Sequence, residues 1–191
     1  MQSSTQVEFR TLLSKDEYTR LVEKFKSQSK YDIQTNHYFD TAIFSLKAFD
    51  ASLRVRERDN LLELTLKRKK GYNIQEFRQT ITKDEFDETR NTGFLPDGQV
   101  KDEISNLIGT QKIENFMSLS TKRIGFVYDK GIVFIDENNY LNVTDYELEY
   151  EAKTLHEGKA EFIKLISDFQ IKYRKADKKI SRAYHALRNI Y

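Results

Sequence analysis

The chain has 191 residues, a length that fits one domain over residues 1–191. Its 32 Lys and Arg nearly balance its 30 Asp and Glu, which argues against a general nucleic-acid-binding surface, since that needs excess positive charge. No cysteine is present, so disulfides and thiolate chemistry are excluded, and no stretch approaches the roughly 20 apolar residues of a membrane span. We therefore expect a cytoplasmic protein that uses neither a membrane nor a nucleic-acid partner.

Apolar and polar residues alternate along eight stretches of the chain, which is the pattern of strands buried on one face. Ser or Thr followed three residues later by Glu marks three helix starts. In the first half of the chain, the predicted elements are strands over 6–10, 37–40, 53–56, 62–69 and 74–80, with helices opened by Ser14–Glu17 and Thr82–Glu85 and a further helix over 97–108. In the second half they are strands over 120–128, 131–136 and 145–151, a helix opened by Thr154–Glu157, and a helix from 178 to the C-terminus.

The polar faces of these strands carry acidic or basic side chains at alternate positions. In the last strand Asp145, Glu147, Glu149 and Glu151 share one face, where like charges repel unless cations or a metal ion offset them. An α+β fold with a closed eight-stranded antiparallel barrel would place acids and bases in one polar lumen, with helices packed outside. The alternative is that each charged face is an ordinary solvent-exposed face. The cations available on other strands are Arg10, Arg54, Arg56, Lys67, Arg78 and Arg123.

Short motifs along nearly the whole chain follow the order of a known family. They are Q-V-E-F-R at 6–10, Y-F-D-T at 38–41, L-R-V-R at 53–56, L-T-L-K at 64–67, T-K-R at 121–123, I-D at 135–136, E-L-E at 147–149 and K-I-S-R at 179–182. In these motifs the chain resembles the CYTH superfamily, also called the triphosphate tunnel metalloenzymes, and is most similar to its small Gram-positive bacterial branch. Since this fold serves several reactions, the resemblance alone does not fix the substrate.

The resemblance implies an eight-stranded tunnel that binds a triphosphate-containing small molecule together with Mg²⁺ or Mn²⁺. It implies metal ligation by Glu8, Asp136, Glu147 and Glu149. It implies substrate binding by a largely basic set, of which Arg54, Arg56, Lys67 and Lys179 are the candidate catalytic residues. The full substrate-binding set is Arg10, Arg54, Arg56, Lys67, Glu76, Arg78, Arg123, Lys179 and Arg182.

Three functions fit this pattern. The first is metal-dependent hydrolysis of inorganic triphosphate or of a small triphosphate ester. The alternatives are a class IV-type adenylyl cyclase and a non-catalytic module that binds polyphosphate or a nucleotide. Gln6 and Arg10 replace the first Glu and the Lys of the family's opening motif, and a neutral Gln is a poorer ligand for a hard cation. These replacements weaken the expectation of catalysis more than that of phosphate binding. A homodimer through the outer helices is compatible with the sequence, but no sequence feature argues for one.

Overall fold

The computed structural model describes residues 7–27, 31–71 and 73–189, so Gln6 lies outside the described residues. The strands are β1 (Val7–Leu13), β2 (Tyr31–Asp40), β3 (Ala51–Arg58), β4 (Leu61–Lys70), β5 (Asn73–Ile81), β6 (Glu114–Tyr128), β7 (Gly131–Tyr140) and β8 (Val143–Ala152). The helices are α1 (Lys15–Phe25), α2 (Ser45–Ala48), α3 (Lys83–Thr92), α4 (Gln99–Ile108), α5 (Leu155–Asp168) and α6 (Lys179–Arg188). None of the helices within these ranges is long and apolar enough to cross a membrane.

The strands form one eight-stranded sheet in the order β1-β8-β7-β6-β2-β3-β4-β5, and the fold is α+β. The predicted closed barrel with an enclosed lumen is wrong, because this order leaves β1 and β5 as the two ends of the sheet. The outer edge of β1 is instead bonded to a later part of the chain. The Leu12 N–H donates to the Arg174 carbonyl at 3.0 Å, and Thr11 forms an isolated antiparallel bridge with Lys175. These bonds occupy part of the outer edge of β1, at Thr11 and Leu12.

The chain divides into two compact units, and the predicted single domain over 1–191 stays a prediction. Unit 1 is Met1–Ile33 with Thr121–Tyr191, and unit 2 is Gln34–Ser120. In unit 1, β8 pairs antiparallel with β1 on one side and with β7 on the other. Leu148 and Tyr150 on β8 pack beneath α1 and α5, and Phe162 and Leu165 are the buried residues that α5 adds. The helices thus cover the apolar face of this part of the sheet.

Unit 2 follows the same principle with different helices. The hairpins of β3, β4 and β5 place Leu53, Val55, Leu64 and Leu66 on one face, all of them fully buried. Residues of α3 and α4 complete this core. Because side chains alternate across a strand, the residues between these leucines and valines lie on the opposite face.

The three predicted helix starts are confirmed, and two of them are complete capping boxes. The Ser14 and Thr82 hydroxyls accept the N–H groups of Glu17 and Glu85, whose carboxylates in turn accept the N–H groups of Ser14 and Thr82. The third helix begins after Thr154 as expected, but the prediction of a capping box at this position is wrong. The Thr154 hydroxyl donates to the Glu157 carboxylate at 3.0 Å and caps no backbone N–H group.

His37 lies in a largely enclosed part of unit 2. Its Nδ1 is 2.8 Å from Ser118 Oγ, its Nε2 is 3.4 Å from Glu57 Oε2, and its ring centroid is 4.9 Å from that of Phe86. Burial lowers the pKa of His37 below its ordinary 6.5, and the nearby Glu57 carboxylate does not overcome this effect. The imidazole is therefore neutral at pH 7.

The two kinds of helix start predict different effects of the same substitution. We expect Thr82→Ala to lower the free energy of unfolding by about 1 kcal/mol, because one N–H of α3 loses its acceptor. Thr154→Ala should change it by less than about 0.5 kcal/mol, since only an exposed side-chain contact is lost. Urea unfolding of both variants measures the difference, and equal losses would contradict the assignment of the caps.

The lowered pKa of His37 predicts a pH dependence of stability. An unfolded chain protonates His37 from about its ordinary 6.5 downward, before the folded chain does, so stability falls as the pH falls below that value. His37→Gln should remove this component, and the remaining histidines, His156 and His185, provide the same background in both proteins. Unfolding free energies at two pH values on either side of 6.5 test this, and an identical pH dependence in the variant would refute it.

Candidate functional site

Carboxylates gather on the face of unit 1 opposite to its apolar core. The register pairs Glu8 with Glu151 and Asp136 with Glu147, and directly paired residues share a face. Asp136 and Glu147 are fully buried and Glu149 is only 7% exposed, so these charges need compensation by cations. We call this surface the acidic face. Its members are Glu8, Asp136, Asp145, Glu147, Glu149 and Glu151.

Lys179, the first residue of α6, lies against the acidic face. Its Nζ is 2.6 Å from Asp136 Oδ2, 3.6 Å from Glu147 Oε1 and 3.8 Å from Glu149 Oε2. Burial lowers the pKa of Lys179, but these three carboxylates outweigh it and the net pKa is raised. The ammonium group is therefore charged and is shared by three acids.

Two arginines also offset the charges of Asp136, Asp145 and Glu147. Arg123 on β6 donates from Nε and Nη2 to the two oxygens of Asp136, both at 2.7 Å. Arg182 on α6 holds Asp145 at 2.9 and 3.1 Å and reaches Glu147 Oε2 at 2.6 Å. Such paired donors fix the direction of each carboxylate as well as its charge.

The two buried acids differ in their pKa values. Burial raises the pKa of Asp136, but Lys179 and Arg123 outweigh it, so its net pKa lies below the ordinary value. For Glu147 burial prevails over Lys179 and Arg182, and its pKa is raised. Neither Glu147 oxygen accepts a well-aligned hydrogen bond within the described part of the chain, in spite of its ion pairs. Glu147 thus keeps unused acceptor capacity.

A group that could hold a metal ion lies further along β8. One carboxylate oxygen from each of Glu8, Glu149 and Glu151 lies within 4.8 Å of the other two. Burial and the charges of Glu149 and Glu8 raise the pKa of Glu151, and the opposing charge of Arg123 does not overcome these effects. Three carboxylate oxygens fit a hard divalent cation. The Arg10 guanidinium also contacts the Glu8 carboxylate.

The predicted residues of unit 2 lie together on the polar face of its sheet. Arg54 pairs across the strands with Thr65, which pairs with Arg78, and Lys67 pairs with Glu76. Glu76 is 3.3 Å from Lys67 Nζ and 2.9 Å from Arg78 Nε. Burial raises the pKa of Glu76, but the two cations outweigh it and hold the net pKa below 4.5. We call this surface the basic face. Its members are Arg54, Arg56, Lys67, Glu76 and Arg78.

The arginines of the basic face have different environments. Arg56 Nε donates to Asn36 Oδ1 at 3.1 Å. Arg54 Nε is buried and has no hydrogen-bond partner among the described residues. A buried guanidinium N–H without an acceptor is costly, so this atom is a place where an anionic oxygen would be stabilising.

The sequence predicts Asp145 and Glu151 on the charged face of the last strand but in neither the metal-binding nor the substrate-binding set, and it assigns no role to Asp40. Asp145 lies inside β8 as predicted and binds Arg182. Glu151 was assigned no metal, although the alternation from Glu149 was a signal for it. Asp40, in the Y-F-D-T motif, accepts the N–H groups of Leu46 and Lys47 at 2.9 and 3.0 Å and so caps α2.

The architecture and the acidic face define a class of protein, an α+β sheet protein whose strands carry the polar groups. A family model for the CYTH domain matches residues 4–184, and the chain belongs to the CYTH domain family. This confirms the resemblance seen in the sequence motifs. The predicted ligand roles of individual residues stay predictions.

Similar proteins are known by sequence and by structure. A Bacillus subtilis (strain 168) protein named "Putative triphosphatase YjbK" is 36% identical over an alignment of 191 positions that covers 98% of this chain and 98% of that protein. A Bacillus halodurans structure, described as a "putative adenylate cyclase", is 30% identical with a TM-score of 0.79 and covers 93% of this chain and 96% of its own. A Hippeastrum protein, described as having a dominant triphosphatase activity, has a TM-score of 0.79 over 95% of this chain and 96% of its own. At 20% identity, the last supports the fold alone.

Because the Lys179 ammonium contacts three carboxylates, replacing it should lower stability strongly. We expect Lys179→Met to lower the free energy of unfolding by about 3–5 kcal/mol at pH 7, because buried carboxylates lose a cation. Lys178→Met changes an exposed neighbour and should cost less than about 0.5 kcal/mol. Denaturant unfolding of both variants tests this, and similar losses in the two would contradict the neutralising role of Lys179.

Proposed function

We propose that the protein hydrolyses inorganic triphosphate or a small triphosphate ester in the cytoplasm, with Mg²⁺ or Mn²⁺ as cofactor. The observation that carries the proposal is the cluster of Glu8, Glu149 and Glu151 oxygens on the same sheet face as Lys179 and Arg123. A hard-cation site beside fixed positive charges is what binding and cleavage of a phosphoric anhydride require. The 36% identity to a protein named as a triphosphatase supports the same reaction.

Phosphate binding is assigned to cations that the strands hold in place. On the basic face, Glu76 orients Lys67 and Arg78, and Arg54 offers a buried N–H that lacks an acceptor among the described residues. Arginines can hold non-bridging phosphate oxygens through two parallel hydrogen bonds. The proposed substrate-binding residues are Arg10, Arg54, Arg56, Lys67, Glu76, Arg78, Arg123, Lys179 and Arg182.

Metal ligation is assigned to Glu8, Glu149 and Glu151, with Glu147 and Asp136 beside them. Glu147 has oxygens that accept no well-aligned hydrogen bond from the described residues, whereas Asp136 is held by Arg123 and Lys179. When bound, Mg²⁺ or Mn²⁺ supplies charge neutralisation, orients the phosphate oxygens and activates water.

The side chains of the protein have their own part in the reaction. The Lys179 ammonium is fixed by three carboxylates and stabilises negative charge that develops on the leaving phosphate. Arg54, Arg56 and Lys67 bind and orient the phosphates. No side-chain nucleophile is needed, because water is the attacking group.

A second candidate is an adenylyl cyclase, favoured by the description of the 30% identical Bacillus halodurans protein. The two reactions release different products. With inorganic triphosphate and ATP as substrates and Mg²⁺ and Mn²⁺ compared, a triphosphatase releases orthophosphate. A cyclase releases pyrophosphate and a cyclic nucleotide from ATP, and tight binding without turnover identifies a non-catalytic binding module.

Neutralising two acids of β8 tests the proposed metal dependence. We expect Glu147→Gln with Glu149→Gln to reduce metal-dependent orthophosphate release by about 100-fold or more, because charged oxygens needed at the site are removed. Glu114→Gln, at an exposed position at the start of β6, is the control and should keep full activity. Full activity in the double variant would end the proposal.

A further inference from the structure

The chain crosses from one face of unit 1 to the other between α5 and α6. Helix α5 packs on the apolar core, whereas Lys179 and Arg182 of α6 contact the acidic face. The connecting residues 171–178 pass the outer edge of β1, and we call them the edge segment. Ile171 at its start is buried in the apolar core. Its end leads directly into Lys179.

Hydrogen bonds of the Arg174 backbone hold the edge segment to β1. The Arg174 carbonyl accepts the Leu12 N–H at 3.0 Å, and the Arg174 N–H donates to the Thr11 hydroxyl at 2.8 Å. Thr11 is fully buried and also bridges to Lys175. The segment is therefore anchored to the sheet four to five residues before Lys179.

Glu17 adds a side-chain clamp to this anchor. Its Oε2 is 2.6 Å from Arg174 Nη1, and its Oε1 accepts the Lys172 N–H at 3.0 Å. The same carboxylate accepts the Ser14 N–H at the start of α1. Burial raises the pKa of Glu17, but the N–H groups of Ser14 and Lys172 and the charge of Arg174 together lower it. Glu17 thus joins α1, β1 and the edge segment as an ionised group.

Helix α6 has one fully buried residue in its described part, Ala183, and Ile180, Tyr184 and Leu187 are half-buried. Its polar connections include the ion pairs of Lys179 and Arg182 and a hydrogen bond from Arg182 Nη1 to the Asp177 carbonyl in the edge segment. Because Arg182 also bonds to the edge segment, displacing that segment would disturb the placement of Lys179 on the acidic face.

We propose that Glu17 and Arg174 are positioning residues, which act through the edge segment to hold Lys179 on the acidic face for turnover. The consequence for catalysis rests on the proposed hydrolase function, whereas the placement of Lys179 does not. Because small misplacement of a catalytic group is costly, loss of the clamp should lower kcat with little effect on KM.

The experiment compares the wild-type chain with Arg174→Gln and Arg174→Lys. Orthophosphate release from inorganic triphosphate with Mg²⁺ gives kcat and KM, and lysine acylation followed by peptide mass spectrometry reports the accessibility of Lys179. We expect kcat to fall by about tenfold or more in Arg174→Gln, with KM changed less than about twofold, and Lys179 to become labelled. Exposed Lys178 is the internal reference for labelling. Arg174→Lys keeps the charge and should restore part of both effects.

Arg20→Gln is the matched control. Arg20 on α1 donates to the carbonyls of Phe169 and Gln170 at 2.8 and 3.3 Å, so it joins the same helix to the chain just before the edge segment. It should leave kcat and Lys179 labelling unchanged, and unfolding curves show that each variant is folded under the assay conditions.

Unchanged labelling of Lys179 in Arg174→Gln overturns the inference, and so does increased labelling with unchanged kcat. A wild-type protein that releases no phosphate refutes the proposed function, and the labelling result then still decides whether Arg174 positions Lys179. Equal effects of Arg20→Gln and Arg174→Gln would show general loosening and would also overturn the inference.

Discussion

Buried carboxylates on the acidic face impose the strongest physical constraint on this fold. Asp136 and Glu147 are removed from water on one face of β7 and β8, and an uncompensated buried charge costs several kcal/mol. Their cations come from distant parts of the sequence, Arg123 on β6 and Lys179 and Arg182 on α6. The final helix therefore stabilises the sheet by supplying two of these cations. Apolar packing explains the other face of β8, where Leu148 and Tyr150 meet α1 and α5.

This arrangement places the polar groups on strands rather than on loops. In unit 2, ladder pairing fixes the spacing between Arg54, Thr65 and Arg78, and Glu76 fixes the head groups of its neighbours. Side chains on paired strands are held more firmly than side chains on loops, so charge is already oriented before a ligand arrives. The cost is that some buried polar atoms, such as Arg54 Nε and the Glu147 oxygens, have no hydrogen-bond partner among the described residues. Such groups are common where a protein keeps binding capacity.

Local sequence patterns predicted the strands and most of the helices well, but they did not predict which strands pair at the ends of the sheet. Alternation located all eight strands, although β7 runs on to Tyr140 and β6 begins at Glu114, well before the predicted 120. The closed barrel was wrong because alternation says which face is buried but not which strands pair at the ends of a sheet. Residues near Arg174, which have no strand pattern of their own, take the edge of β1. Thr154 shows the same limit on a smaller scale, since its hydroxyl bonds the Glu157 side chain instead of the backbone.

The sequence predicted which residues belong to the candidate site, but it did not predict which of them contact one another. Repeated acids at alternate positions identified Glu147 and Glu149, but no sequence signal showed that Lys179 would join Asp136 to both. The ion pair of Asp145 was not predicted, because its partner Arg182 lies 37 positions away in the chain. Glu151 follows from the same alternation as Glu149, yet its proximity to Glu8 depends on the register between β1 and β8.

The edge segment also bears on self-association. A terminal strand of a sheet presents unpaired N–H and C=O groups, and these can recruit a strand from another molecule and start aggregation. Here Leu12 and Thr11 of β1 are already bonded to Arg174 and Lys175 of the same chain. A protein shortened before this segment would lose α6 and its cations and would also expose a bare β1 edge. Such a truncation should therefore favour aggregates over an otherwise intact fold.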